Sequence, residues 1–435
     1  MRKEHHKITK EAVLCFFLFI VLYTGPVFAA DPFQANIREP VVAGKFYPQD
    51  PDMLSKAIDL YLEDAKAPPG ARPIALIAPH AGYIFSGQIC ADAFKQTMGH
   101  DYDIVVLLGA SHTTPGFNGV SIYASGGYRT PLGVAEIARH IPADLMAASE
   151  NFTFNASMHA REHSIEVLVP FVQKLHPNAK IVTAILGKPD PDLCVRFGLA
   201  LAKVLKNRKA LIVASSDLSH YPDYEDAVRV DRGTLDAVLT RDPEIVHAVI
   251  QQQMDKKIPN LSTCACGEAP ILATLVAAKK LGANCARLIS YANSGDALIG
   301  GHSRVVGYGA VSLSAQKTCN SKHKNNGLQE KIRGSKISKT NQKALLKFAR
   351  KTIEQYHASR TVPLARGFDP ALERKQGAFV TLKTNHKLRG CIGHMTEDLP
   401  LCQTVGAMAW RAAFNDRRFK PVAREEMPEI EIEIS

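Results

Sequence analysis

Three apolar runs of this chain end in a histidine: IALIAPHAGY at His80, DIVVLLGASHT at His112 and ALIVASSDLSHYPDY at His220. A thiol follows in TCACGEAP, at Cys266. Imidazole nitrogen and thiolate sulfur are ligands for zinc, iron and copper, so the repetition points to a metal site. Unbroken apolar runs such as residues 104–108 and 210–214 suit strands buried on both faces of a parallel sheet, with helices covering each side. In open sheets of that kind, ligands collect where the carboxyl ends of strands meet loops, at a reversal of strand order. Histidines at such ends can converge without being neighbours in sequence.

The elements that must position them alternate between strand and helix patterns. PVVAGKFYPQDPDMLSKAIDLYLEDA reads as a turn-rich entry and then a helix with Leu54, Ile58, Leu60 and Leu62 mostly on one face. Helices are expected over 161–174, with Pro170 bending or interrupting the first, then over 223–252 and over 268–280, the last stopped by Gly282. A final strand, RVVGYGAVSL, covers 304–313. This alternation predicts a three-layer α/β domain over 37–315 with a mainly parallel central sheet. Residues 316–340 are polar, lack an apolar period and read as a flexible basic linker. A smaller α+β domain is expected over 341–435. It opens with a helix bearing Leu345, Phe348, Ala349, Ile353 and Tyr356. A hairpin running into a glycine-bracketed turn at 390–393 follows, and the alternating strand EIEIEIS comes last.

With 435 residues, 46% of them hydrophobic, the chain can bury a large core. Its net charge of +11 is concentrated: residues 1–30 contribute +2 and residues 316–340 contribute +6, leaving +3 for the rest. A pI near 9.1 therefore describes a leader and a linker, and no nucleic-acid partner is expected. Residues 1–30 have the layout of a secretory signal: Arg2, Lys3, Lys7 and Lys10, an apolar stretch over 12–23, and small residues favouring cleavage after Ala29. That stretch is short of the ~20 residues a bilayer span needs. The expectation is an exported protein, held at a membrane only if the leader stays on. Cleavage would leave eight cysteines, sparse and irregular, which read as ordinary buried thiols rather than a disulfide framework.

REPVVAGKFYP, APHAGYIFSG, LLGASHT, EHSIEVLVPF, SSDLSHY, ACGEAPI, YANSGD and VVGYGA occur in order over 37–313, and that region resembles the Memo family. The resemblance implies the fold of LigB-type class III extradiol dioxygenases. Through GAFVTL, LRGCIG and AAFNDRRFKPV, residues 341–435 are similar to the start of an AMMECR-type domain. Such domains usually run on past this last strand, so a truncated second domain is the expectation. The fusion implies a component of the AmmeMemoRadiSam system, of its protein B type, with a radical-SAM partner.

The resemblance also implies roles. His80 and His112 become the imidazoles of a metal centre, and Cys266 stands where extradiol enzymes carry a carboxylate. Thiolate is softer than carboxylate, so non-haem iron or copper is expected, with zinc the weaker candidate. The start of the following helix should favour the Cys266 thiolate. His220 takes the acid/base position, with Asp217 three residues earlier to orient it. His159, Glu162 and His163 fall along the pocket wall, in contact with substrate or behind the ligands. Each histidine alone could equally be a cap or a hydrogen-bonded core residue, and His302 reads as structural. Cys391, between glycines with Arg389 nearby, could be an exposed reactive thiol. A packed cysteine in a tight turn is the favoured reading, since only His394 is near enough to act as a base. Three functions fit: a dioxygenase-like oxidoreductase acting on a small molecule, a non-catalytic peptide- or metabolite-binding module, and a copper-sequestering envelope protein.

Overall fold

The computed structural model describes residues 36–67, 70–114, 116–316, 319 and 337–435. The expected leader, and linker residues 317–318 and 320–336, lie outside the described residues. Among those described, no helix is long and apolar enough to cross a membrane.

Fourteen strands occur among the described residues: β1 (Ile37–Arg38), β2 (Pro73–Ala78), β3 (Ile104–Ala110), β4 (Val120–Ile122), β5 (Gly127–Thr130), β6 (Gly133–Glu136), β7 (Phe152–Thr153), β8 (Lys180–Leu186), β9 (Ala210–Ser215), β10 (Cys285–Asn293), β11 (Gly307–Ser314), β12 (Ala378–Thr384), β13 (Lys387–His394) and β14 (Ile430–Ile434). Eight form one sheet in the order β10-β11-β2-β9-β3-β8-β4-β7. Its centre, β2-β9-β3-β8, is parallel throughout, and antiparallel pairs occur only towards the edges. A small sheet, β1-β5-β6, lies beside it.

The unbroken apolar runs alternate between two cores, as a two-residue period requires. Ile104, Val106 and Leu108 face one side with Ile212, Ala214, Val182 and Ala184. Helices Pro191–Leu205 and Glu268–Lys280 close over them. Val105 and Leu107 face the other side with Leu211, Val213, Ile181 and Ile185, under helices Pro51–Asp64 and Tyr83–Lys95. This is the expected three-layer α/β architecture.

Several expected elements are divided differently. The helix anticipated over 223–252 is two, Tyr224–Leu239 and Pro243–Asp255. The Asp242 carboxylate caps the second by accepting from the Glu244 amide at 2.9 Å, and Pro243 sits in its first turn, where a missing N–H costs nothing. The helix anticipated from residue 161 begins only with a 3-10 turn at Glu166–Leu168 and then Val169–Leu175. Pro170 starts that helix rather than bending it. Residues 161–165 are drawn instead into the pocket described below.

The second module packs helices Lys339–Ser359 and Leu401–Phe414 against the sheet β13-β12-β14. The alternating EIEIEIS strand is β14, in register with β12. The glycine-bracketed segment is not a turn but part of β13. Its glycines answer crowding: a Cβ at Gly393 would lie 2.1 Å from the Phe379 ring and one at Gly390 2.3 Å from the Ala412 carbonyl oxygen. The hairpin turn falls at Asn385 and His386, both with positive φ (51° and 62°), as a two-residue connection of right-handed twist favours.

The modules share more than a tether. Asp92, fully buried, accepts from Arg366 at 2.6 and 3.1 Å, Gln403 donates to the Gly295 carbonyl at 2.6 Å, and Leu298 joins the second module's core. Two of the cysteines expected to be free are joined: Cys285 of β10 forms a disulfide with Cys319. Wide spacing in the sequence concealed a pairing that the end of β11 brings within reach.

Candidate metal centre

His80 lies just beyond β2, in the loop leading to helix Tyr83–Lys95, and is 1% exposed. Its amide donates to the Asp217 carboxylate at 2.8 Å. Nδ1 is 2.8 Å from the hydroxyl of Ser215, the last residue of β9, and that hydroxyl donates to the Ser164 carbonyl at 2.5 Å. With its proton committed there, Ser215 accepts from His80 Nδ1–H, so Nε2 keeps a lone pair. Burial, then the neighbouring imidazoles, hold His80 well below its usual range and therefore neutral. Nε2 faces the Cys266 sulfur at 3.3 Å.

His112 follows β3 and is held by Glu162, whose carboxylate accepts from its amide at 2.7 Å and from Nδ1 at 2.9 Å. Nε2 is again the free nitrogen. Burial pulls the His112 pKa down, but the bond to Glu162 and its charge prevail and raise it. Burial would raise Glu162, yet His112 and the amides it accepts from hold it at about 2. The same carboxylate accepts from the His163 amide at 2.9 Å. The ring centroids of His80, His112 and His163 lie 4.8–5.5 Å apart.

Cys266 stands just before Gly267, the residue preceding helix Glu268–Lys280. A Cβ at 267 would lie 2.3 Å from the Ser215 carbonyl oxygen, so glycine is what lets this helix start against β9. Contrary to the expectation from the helix start, burial and the nearby Asp217 push the thiol pKa well up. Removal from water outweighs the helix dipole where no cation balances the sulfur. Asp217, buried, is raised to about 7, chiefly by burial. Its carboxylate accepts from the His80 and Ala81 amides, and Oδ2 lies 3.9 Å from His80 Nε2.

His220 projects from the same strand-end loop, which is pinned through main-chain pairing to Thr263 and Val306. Its Nε2 is buried without a hydrogen-bond partner, and burial followed by His112 and His163 lowers its pKa to about 4. Asp217 makes no hydrogen bond to it among the described residues. Among the described residues, two sets of side chains bring donor atoms within 4.8 Å of one another: His80, His112 and His163, and His80, Asp217 and Cys266. Of the trio expected from sequence, His80 therefore belongs to both sets, His112 to one and Cys266 to the other. His163 and Asp217 sit closer to the donors than sequence reasoning placed them.

His159 lies apart. Its ring nitrogens meet Tyr128 Oη at 2.7 Å and the Ser121 hydroxyl and carbonyl at 3.1 Å, in full burial. His302 stacks on Tyr224 at 4.4 Å, as befits a structural residue. Cys391 lies on β13, where its sulfur accepts from the Thr381 hydroxyl at 3.2 Å and its amide donates to Asp416 at 2.9 Å.

Sequence reasoning missed the support beneath the pocket. Glu166, fully buried, accepts from the Arg38 guanidinium, from the Val41 and Val42 amides at 3.0 Å and from Tyr47 Oη at 2.6 Å. Arg38 also donates to the carbonyls of His159 at 3.1 Å and Glu162 at 2.6 Å. The signal was present as charges within apolar motifs, Arg38 in REPVVAG and Glu166 in EHSIEVLVPF.

Fold and site together define an α/β protein with a candidate metal pocket at the carboxyl ends of its parallel strands. Residues 38–312 match the family model described as Memo-like protein, and 346–435 match that described as AMMECR1. The chain belongs to the Memo-like family and carries an AMMECR1 region after it. A MEMO1 family protein of Methanocaldococcus jannaschii is 36% identical over 293 residues, covering 63% of this chain and 98% of the relative. One from Methanothermobacter thermautotrophicus is 33% identical over 287 residues, covering 63% and 100%. A solved structure of an uncharacterized protein from Pyrococcus horikoshii is 36% identical over 21% of this chain and 48% of its own, with a TM-score of 0.21.

Proposed function

We propose that this protein is a metal-dependent oxidoreductase of the Memo family in which His80, His112 and Cys266 hold one redox-active ion, iron or copper, with the His112 and Cys266 donors closing on it from the two sets that share His80. The observation that carries this reading is the pair of imidazoles whose Nδ1 atoms are each taken by a protein acceptor, Ser215 or Glu162, so that both Nε2 lone pairs are left for a cation. The half-buried thiol at 3.3 Å from His80 fits as well, since a bound cation would replace its proton. Such an ion would supply redox and Lewis-acid chemistry. The protein's own contribution is to hold the donors, with Asp217 and His163 as further oxygen and nitrogen atoms at the rim, and to exclude water around His80. His220, neutral at pH 7 and with Nε2 unengaged, takes a proton from a bound substrate hydroxyl and returns it.

Anaerobic purification followed by metal analysis tests this on wild type, His80→Ala, His112→Ala and Cys266→Ala. Stoichiometric metal lost in all three is the expected result; unchanged metal rejects these ligands. The nitrogen and sulfur pair also favours a second reading, copper sequestration, because soft donors suit copper(I). Oxygen uptake with candidate substrates separates the two: an enzyme consumes oxygen and a sequestering protein suppresses it. The Cys285–Cys319 disulfide supports export, since such bonds persist in oxidising compartments. Export conflicts with a radical-SAM partner in the cytoplasm, and cell fractionation decides between them.

A further inference from the structure

A cleft of about 470 Å³ lies where the first module's helix Pro51–Asp64 meets the second module's helix Lys339–Ser359 and its 3-10 turn Arg424–Glu429. Four cations line it, Lys56, Arg350, Lys351 and Arg424, against the single carboxylate of Glu354. Two of the four are committed: Lys351 pairs with Asp64, and Arg350 donates to the carbonyls of Met427 at 3.0 Å and Ile430 at 2.5 Å. Lys56 and Arg424 make no hydrogen bond or ion pair among the described residues. His357 also lines it, with its Nε2 out of reach of solvent.

Burial first, and then Arg360 and Arg424, oppose protonation of His357, while Glu425 and Glu426 favour it. Glu426 is already bound to Arg389 at 2.7 Å. Leu60, Ala358, Met427 and Pro428 give the same cleft an apolar side. Unpaired cations suit an anion that accepts several hydrogen bonds at once, which phosphate does better than a carboxylate.

We propose that this inter-module cleft binds a small phosphate-bearing anion through Lys56 and Arg424, so that the ligand bridges the two modules. The test is titration calorimetry on the full chain at low ionic strength, with inorganic phosphate, pyrophosphate and glycerol 3-phosphate, and with acetate as the weak-binding control. One site per chain is expected, with a melting temperature that rises on saturation. Tighter binding of glycerol 3-phosphate assigns the site to a phosphate ester using the apolar side; equal or tighter binding of inorganic phosphate or pyrophosphate assigns it to the free anion.

The double variant Lys56→Ala, Arg424→Ala should lose at least about tenfold in affinity, as expected for removing charge-assisted hydrogen bonds. Both side chains are exposed, so the unliganded melting temperature should stay at the wild-type value. Glu354→Gln, which removes the lining carboxylate, should tighten binding. Lys203→Ala, an exposed lysine at the end of helix Pro191–Leu205, should change nothing. No binding at millimolar anion, binding unchanged in the double variant or weakened by Glu354→Gln, or an equal loss in Lys203→Ala overturns the proposal.

Discussion

Cys266 and Cys391 look alike in sequence, each beside a glycine and each within a short motif, yet the molecule treats them differently. Cys266 sits where three strand-end loops meet, within 3.3 Å of one imidazole and beside a buried carboxylate. Cys391 is one residue of a regular strand, satisfied by a threonine hydroxyl, and nearby His394 is turned to Asp398 at 2.6 Å and Thr396 at 2.6 Å. A thiol acquires chemistry from what topology converges upon it. Parallel strands bring loops together from distant parts of the chain; an antiparallel hairpin brings mainly its own neighbours.

That contrast breaks first if metal follows the wrong cysteine. Cys266→Ser and His80→Ala should abolish stoichiometric metal, whereas Cys391→Ser should retain it in full, as read by elemental analysis of anaerobic protein. The next effect asks whether the two regions are independent bodies. Arg366→Ala strands the fully buried Asp92 carboxylate between them, and should cost roughly 3–5 kcal/mol in denaturant unfolding. A loss below about 1 kcal/mol would mean that the modules merely touch.

A pH profile sharpens the comparison within the first module. Asp231 holds the loop bearing His220 by accepting from the Ser219 amide at 2.8 Å, and accepts from Tyr291 Oη at 2.8 Å. Burial raises its pKa to about 6. Because the folded value lies above the unfolded one, near 3.9, its stabilising contribution is complete below that value and is lost as pH rises through 6. Asp231→Asn should flatten this dependence, recovering on the order of 2–3 kcal/mol at pH 7 relative to pH 4. Parallel profiles for variant and wild type would refute the assignment. The smallest effect expected is that of Glu162→Gln, which keeps the shape behind His112 but removes the charge. Metal affinity should fall by about 10–100-fold, measured by competition with a chelator, without complete loss.

Sequence made the large sheet legible because residues 104–108 and 210–214 must be covered on both faces, and strand-end histidines follow from that geometry. It misled where one residue type serves two purposes. Glycines 390 and 393 answer the bulk of neighbouring groups in a strand rather than a turn, and Pro170 begins a helix instead of interrupting one. Partnerships across long separations were hidden: Asp217 with the His80 amide, 137 positions away, and Cys285 with Cys319. Periodicity reports which way a side chain faces, not which acceptor it meets. His163 shows the limit, since its ring is placed by contacts that periodicity does not report: the Glu162 oxygen shared with His112, 3.5 Å from its Nδ1, and the Phe46 ring at 5.1 Å.

The Arg38 clamp places a condition on any proteolytic trimming of the amino end. One guanidinium near the amino end grips Glu166 and the carbonyls of His159 and Glu162, the stretch from which the His112 and His163 rings are steered. Trimming after Ala29 would spare it, but a protease that strayed ten residues further would remove the grip and loosen the pocket from a distance. If the pocket holds metal as proposed, its metal content would then report on the integrity of the amino end.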